Sequence, residues 1–93
     1  MTSTRVRITG VVQGVGFRWF TRAHAEARGV SGWVRNRRDG SVEAELHGAA
    51  EDVEAVLRLL RTGPPNAAVS RIDSEDLPPS DSPPTGFEIR ASE

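Results

Sequence analysis

Two short segments carry the residue types that could do chemistry. V-Q-G-V-G-F-R at 12–18 sets a glutamine, two glycines and an arginine between an apolar alternation and a helical pattern. Gly14 and Gly16 free the backbone to bend, so that successive N–H groups from Gln13, Val15 and their neighbours turn into one small concavity. The first turn of the helix, opening at Phe17, adds unpaired donors and the positive end of its dipole. Such a nest suits a tetrahedral anion. Arg18 then offers a planar, two-pronged donor matched to two phosphate oxygens. Taken alone, the segment also reads as a tight turn that shows an arginine to solvent. In the second segment, G-W-V-R-N-R-R-D-G at 32–40, alternation puts Asn36 on the same face as Val34, near a strand end. That amide either bonds its own backbone beside a turn or holds a water next to a bound phosphate.

The elements that must position these residues follow from periodicity. Arg5 to Val12 alternates as a half-buried strand, with Val6, Ile8 and Val12 on one side. From Phe17 the spacing is helical, with a stripe of Phe17, Phe20, His24 and Ala27 ended by Gly29. Strands over 31–38 and 41–48 flank Asp39-Gly40, a hairpin signal in which both turn positions want positive φ. Val42, Ala44 and Leu46 then face inward, and Glu43, Glu45 and His47 outward. A second helix spans about 50–61, with the stripe Val53, Val56, Leu57 and Leu60 and acids in its first turn, and Gly63-Pro64-Pro65 stops it. A strand near 68–73, the Pro- and Ser-rich stretch at 77–85 and a short strand around 87–90 complete the chain.

This order, β-α-β-β-α-β with an extra C-terminal strand, predicts an α+β two-layer sandwich of ferredoxin-like type. Two helices cover one face of an antiparallel sheet, and right-handed crossovers make the first and third strands neighbours. The 93 residues form a single domain over 1–93. With no cysteine, disulfides and thiolate chemistry are excluded. No apolar run reaches membrane-spanning length and the N-terminus lacks the core of a signal peptide, so a cytoplasmic protein is expected. The net charge of −1 argues against a general nucleic-acid or membrane role. Charge is nevertheless uneven: residues 1–47 carry eight arginines against four acids, and residues 48–93 four against nine. The first half is where an anion site belongs.

The two segments at this spacing, with H-G at 47–48, G-P-P-N-A-A-V at 63–69 and F-E-I-R at 87–90, resemble the acylphosphatase family over nearly the whole chain. The resemblance implies a metal-independent hydrolase, without cofactor, that splits the carboxyl–phosphate bond of a small acyl phosphate and releases inorganic phosphate. It assigns the phosphate to the loop Gln13, Gly14, Val15, Gly16, Phe17 and Arg18, and the attacking water to Asn36. A monomer is expected.

Other residues read more plainly. His24 and His47 have no metal-ligand spacing and read as packed or solvated. Glu43 and Glu45 read as a solvated sheet face paired with arginines. Arg35, Arg37 and Arg38 read either as an electrostatic guide for an anionic substrate or as plain hairpin surface, and the presence of Asn36 among them favours the first. Trp19 and Trp33 read as packing and rim residues, since no row of aromatics marks an RNA-binding sheet. Two competing classes remain: a module that binds RNA or an anionic metabolite, and a regulatory module that has lost activity.

Overall fold

The alternating N-terminal segment forms β1 (Thr2–Val11), and the helical spacing after it forms α1 (Phe17–Ala27). The chain continues through β2 (Ser31–Asn36), β3 (Val42–Gly48), α2 (Ala50–Thr62), β4 (Ala68–Asp76) and β5 (Phe87–Ile89). The structure is a computed structural model that describes residues 1–78 and 82–93. The predicted Pro- and Ser-rich stretch at 77–85 therefore lies partly outside the described residues.

Five strands form one sheet in the order β4-β1-β3-β2-β5. β1 and β3 are antiparallel neighbours, as the crossover rule requires, with Thr2 opposite Gly48 and Ile8 opposite Val42. The sheet is mixed rather than wholly antiparallel, because β5 runs parallel to β2, with Gly32 opposite Phe87 and Val34 opposite Ile89. β4 occupies one edge and β5 the other. β5 begins at the same end of the sheet as β2.

One face of the sheet packs under both helices. Val6, Ile8, Val34, Val42, Ala44 and Leu46 meet Phe17, Ala25, Val53, Val56 and Leu60, nearly all with almost no exposed surface. Burial of that apolar area is the main favourable term in folding. The stripe of α1 is rotated from the expected one. Phe17, Thr21 and Ala25 are buried, Phe20 and His24 are half-buried, and Ala27 is exposed. Thr21 enters the core because its hydroxyl donates to the Phe17 carbonyl at 2.9 Å, which removes the cost of burying it. His24 packs edge-on against Phe20, with centroids 4.5 Å apart.

The other face is polar, and it departs most from expectation. Glu43 and His47, expected to face solvent, are 7% and 3% exposed. They do leave the helix face, but β3 is the central strand, so long side chains from β1 and β2 close over them. Arg35 and Arg37 reach Glu43 Oε1 at 2.8 and 3.1 Å, and Glu93 Oε2 completes the network at 2.7 and 3.4 Å. Nearby, Ser3 Oγ lies 2.8 Å from His47 Nδ1, His47 Nε2 lies 2.8 Å from Glu45 Oε1, and Arg5 donates to Glu45 Oε2 at 2.9 Å. The buried carboxylate of Glu43 and the ring of His47 are thereby paired, as stability demands, while Arg37 Nε stays buried without a partner among the described residues. Glu43 and Glu45 follow one pattern. Burial alone would raise their pKa values, but hydrogen bonds from Arg35 and Arg37, and from Arg5 and His47, hold both below the usual glutamate value.

The hairpin differs in turn type. Gly40 has φ +91°, but Asp39 keeps negative φ, so the connection is not the expected two-residue turn. Gly40 N–H donates to the Arg37 carbonyl at 3.1 Å, and Arg37 N–H to the Ser41 carbonyl at 2.8 Å. The Asp39 carboxylate accepts from the Ser41 N–H and hydroxyl at 3.0 and 2.6 Å. An acidic side chain that bonds two residues ahead favours this longer turn.

Candidate active site

β1, β2 and β4 bring the ends of three segments to one edge of the sandwich. β1 leaves the sheet at Val11, Val12 is buried beneath, and the chain reaches α1 through residues 13–16. Gly14 and Gly16 have φ +74° and +80°, and a Cβ at either would meet nothing within 4 Å. Space does not demand glycine here; the left-handed backbone does. Gly16 is also the N-cap of α1 and supplies no side-chain cap. Within the helix end, Phe20 N–H bonds the Gly16 carbonyl at 3.0 Å, so the N–H groups of Phe17, Arg18 and Trp19 precede the first intrahelical bond. A run of donors at the positive end of a helix, next to two left-handed residues, forms an anion-binding concavity.

The side chains of the loop do different jobs. Phe17 is 2% exposed and anchors the loop in the core; the added Cβ of residue 63 would come within 2.8 Å of its ring, so a glycine must stand there. Val15 packs on the same core from its edge. Gln13 turns away from the loop: its Nε2 donates to the carbonyls of Arg37 and Ser41 at 2.7 and 2.9 Å. Arg18 is half-buried in the first turn of α1, and among the described residues it has no carboxylate or hydrogen-bond partner. A guanidinium without an internal counter-charge at the positive end of a helix is suited to meet an external anion.

Asn36 ends β2 opposite Val42, so it shares the helix-side face with Val34. It is half-buried, and its side chain has no partner among the described residues. Of the two readings of this amide, the one in which it bonds its own backbone is therefore not what the geometry gives. Its carbonyl accepts from Glu93 N–H at 3.1 Å, which holds its backbone. The loop, the first turn of α1 and Asn36 thus occupy one end and one face of the sandwich. The arginines around Asn36 divide by alternation. Arg35 and Arg37 point to the opposite face and are committed to Glu43 and Glu93, whereas Arg38 is exposed and unpaired among the described residues. Of the three expected to guide substrate, only Arg38 keeps a free charge.

A family model for acylphosphatase matches residues 4–89, a span that includes the loop, Arg18 and Asn36. The chain belongs to the acylphosphatase family. An acylphosphatase of Bifidobacterium longum is 47% identical over 83 residues, covering 89% of this chain and 86% of its own. One from Synechococcus sp. is 50% identical over 92 residues, covering 95% and 96%. The crystal structure of the acylphosphatase from Bacillus subtilis superposes with a TM-score of 0.92 at 32% identity, covering 97% of this chain and 99% of that one. The acylphosphatase fold is thus reproduced along its whole length. Sequence reasoning singled out the loop, Arg18 and Asn36 as candidates, but it did not foresee the inward commitment of Gln13. Its only signal was a long amide placed between two otherwise small or apolar residues.

Proposed function

We propose that the chain is an acylphosphatase that hydrolyses the carboxyl–phosphate bond of a small acyl phosphate to a carboxylate and inorganic phosphate, without metal or cofactor. The observation that carries this reading is the pairing of an anion-binding loop and half-buried Arg18 with an uncommitted amide, Asn36, on the same face. The loop N–H groups of residues 13–18 and the Arg18 guanidinium hold the phosphate. Asn36 orients a water for in-line attack on phosphorus.

As the new P–O bond forms, the bond to the acyl oxygen breaks and its electron pair leaves on the carboxylate. The proton of the water passes to a phosphate oxygen of the substrate. Because a carboxylate is a good leaving group, positioning and electrostatic stabilisation suffice, and neither a general base nor a covalent intermediate is required. Donors fixed in advance on the equatorial oxygens act where charge spreads in the transition state. The same reading makes the protein a cytoplasmic monomer that acts on a small molecule rather than on nucleic acid or a membrane. It is supported by the near-neutral net charge and by the lack, among the described residues, of a helix long and apolar enough to cross a membrane.

The deciding experiment is phosphate release from acetyl phosphate, with p-nitrophenyl phosphate as control. Release from the first and little from the second is expected. Equal rates on both, or no release from acetyl phosphate, would refute the proposal.

A further inference from the structure

We infer that Gln13 is a positioning residue whose side chain registers the phosphate loop against Asn36, rather than a ligand of the phosphate. The inference rests on the acylphosphatase reading and adds a role for one side chain within it. Loop and amide come from separate segments, and the reaction needs them aligned to a fraction of an ångström. Gln13 is the direct polar link between them. Its Nε2 reaches the carbonyl of Arg37, the residue after Asn36, at 2.7 Å, and that of Ser41 at 2.9 Å. These two residues close the hairpin through the 2.8 Å bond from Arg37 N–H to the Ser41 carbonyl.

The chemistry fixes the orientation of the amide. Both neighbours are carbonyl oxygens, which only accept, so the NH₂ group with its two donors must face them. Each carbonyl then serves two donors: Arg37 O takes Gly40 N–H and Gln13, and Ser41 O takes Arg37 N–H and Gln13. The amide is half-buried, so water replaces these bonds poorly. A glutamate at this position would set a carboxylate against two carbonyl oxygens, and a methionine would fill the space without a donor.

The test uses Gln13→Met, Asn36→Ala and the double variant, each checked for folding by circular dichroism and worked well below its melting temperature. Acetyl phosphate turnover and competitive inhibition by inorganic phosphate are read on the same samples. If Gln13 acts through Asn36, Gln13→Met lowers kcat about ten- to a hundred-fold with the phosphate inhibition constant changed less than about three-fold. The double variant is then no slower than Asn36→Ala alone. Effects that multiply in the double variant, or phosphate affinity that falls in step with kcat, would overturn the inference. So would a variant that melts earlier but turns over normally.

An independent reading comes from the side-chain amide signals of Asn36 in ¹⁵N spectra with phosphate bound. Gln13→Met should shift them, and unmoved signals contradict the role. An inactive wild type would defeat the acylphosphatase reading itself, and the spectra would still decide whether Gln13 couples the two segments.

Discussion

The two faces of β2 at its C-terminal end make opposite use of polar side chains. Asn36 points toward the helix layer with its amide uncommitted, at the same end as a helix N-terminus whose first N–H groups precede the intrahelical bonds and as Arg18, likewise uncommitted among the described residues. Arg35 and Arg37, its immediate neighbours, point the other way into a network with Glu43 and Glu93 in which each charge meets its opposite. The end of β2 and the residue after it therefore set an uncommitted amide between two arginines held in ion pairs, one residue away on either side. The difference teaches how to sort neighbouring arginines: pairing, not nearness to Asn36 in the sequence, separates cations committed to the fold from those free to meet an anion. Removing a group from the first face should damage turnover and spare the fold. Removal from the second should do the reverse.

The strongest test of that contrast is Arg18→Lys. Lysine keeps the charge but loses the planar fork, so kcat/KM should fall roughly a thousand-fold while thermal stability stays within the range of an ordinary surface substitution. Retention of most activity would reduce Arg18 to a source of general positive potential. Next in size is Asn36→Ala, for which turnover should fall about a hundred- to a thousand-fold. Titration with inorganic phosphate should show near-normal affinity, because the proposed role has the amide act on the water rather than on the anion. If phosphate binding is lost together with turnover, Asn36 is a ligand of the anion instead.

On the opposite face, Glu43→Gln should reverse the pattern. It leaves two arginines sharing only Glu93, and about 1–3 kcal/mol of stability should be lost with kcat changed little. For a domain of this size that is a fall of several degrees or more in melting temperature. The pH dependence adds a sign. Glu43 and Glu45 have folded pKa values below their ordinary value of 4.5. Their contribution is therefore complete above the unfolded pKa and is lost as pH falls through the lowered folded values. The gap in melting temperature between wild type and Glu43→Gln should be full near neutral pH and should close in acid, as pH falls below 4.5 through the lowered folded value. A gap that widens in acid contradicts the assignment.

The smallest effect belongs to Arg38→Ala. With its charge exposed and unpaired among the described residues, Arg38 contributes through long-range attraction, so kcat/KM should fall only a few-fold at low ionic strength. The difference should vanish in about 0.5 M salt, where screening is nearly complete at such distances. A salt-independent loss would make Arg38 a direct contact.

The sequence by itself determined the order of elements, the two-layer architecture and the face on which Asn36 lies. These follow from local rules: period two for β1 and β3, helical spacing for α2, and glycines at 14 and 16 where only a left-handed backbone makes the turn. The core residues of β3 were legible for the same reason. What only the tertiary structure decided depends on contacts between segments far apart in the chain. Alternation sent Glu43 and His47 away from the helices, but it could not say that Arg35, Arg37, Ser3 and Glu45 would close over them on a central strand. Nor could it place β5 parallel to β2 at the sheet edge, where Glu93 reaches both arginines and the backbone of Asn36. The role of Gln13 was hidden in the same way, since its two acceptors lie 24 and 28 residues onward. A periodic pattern reports which way a side chain leaves the backbone; what it meets there is fixed only when the strands have found their neighbours.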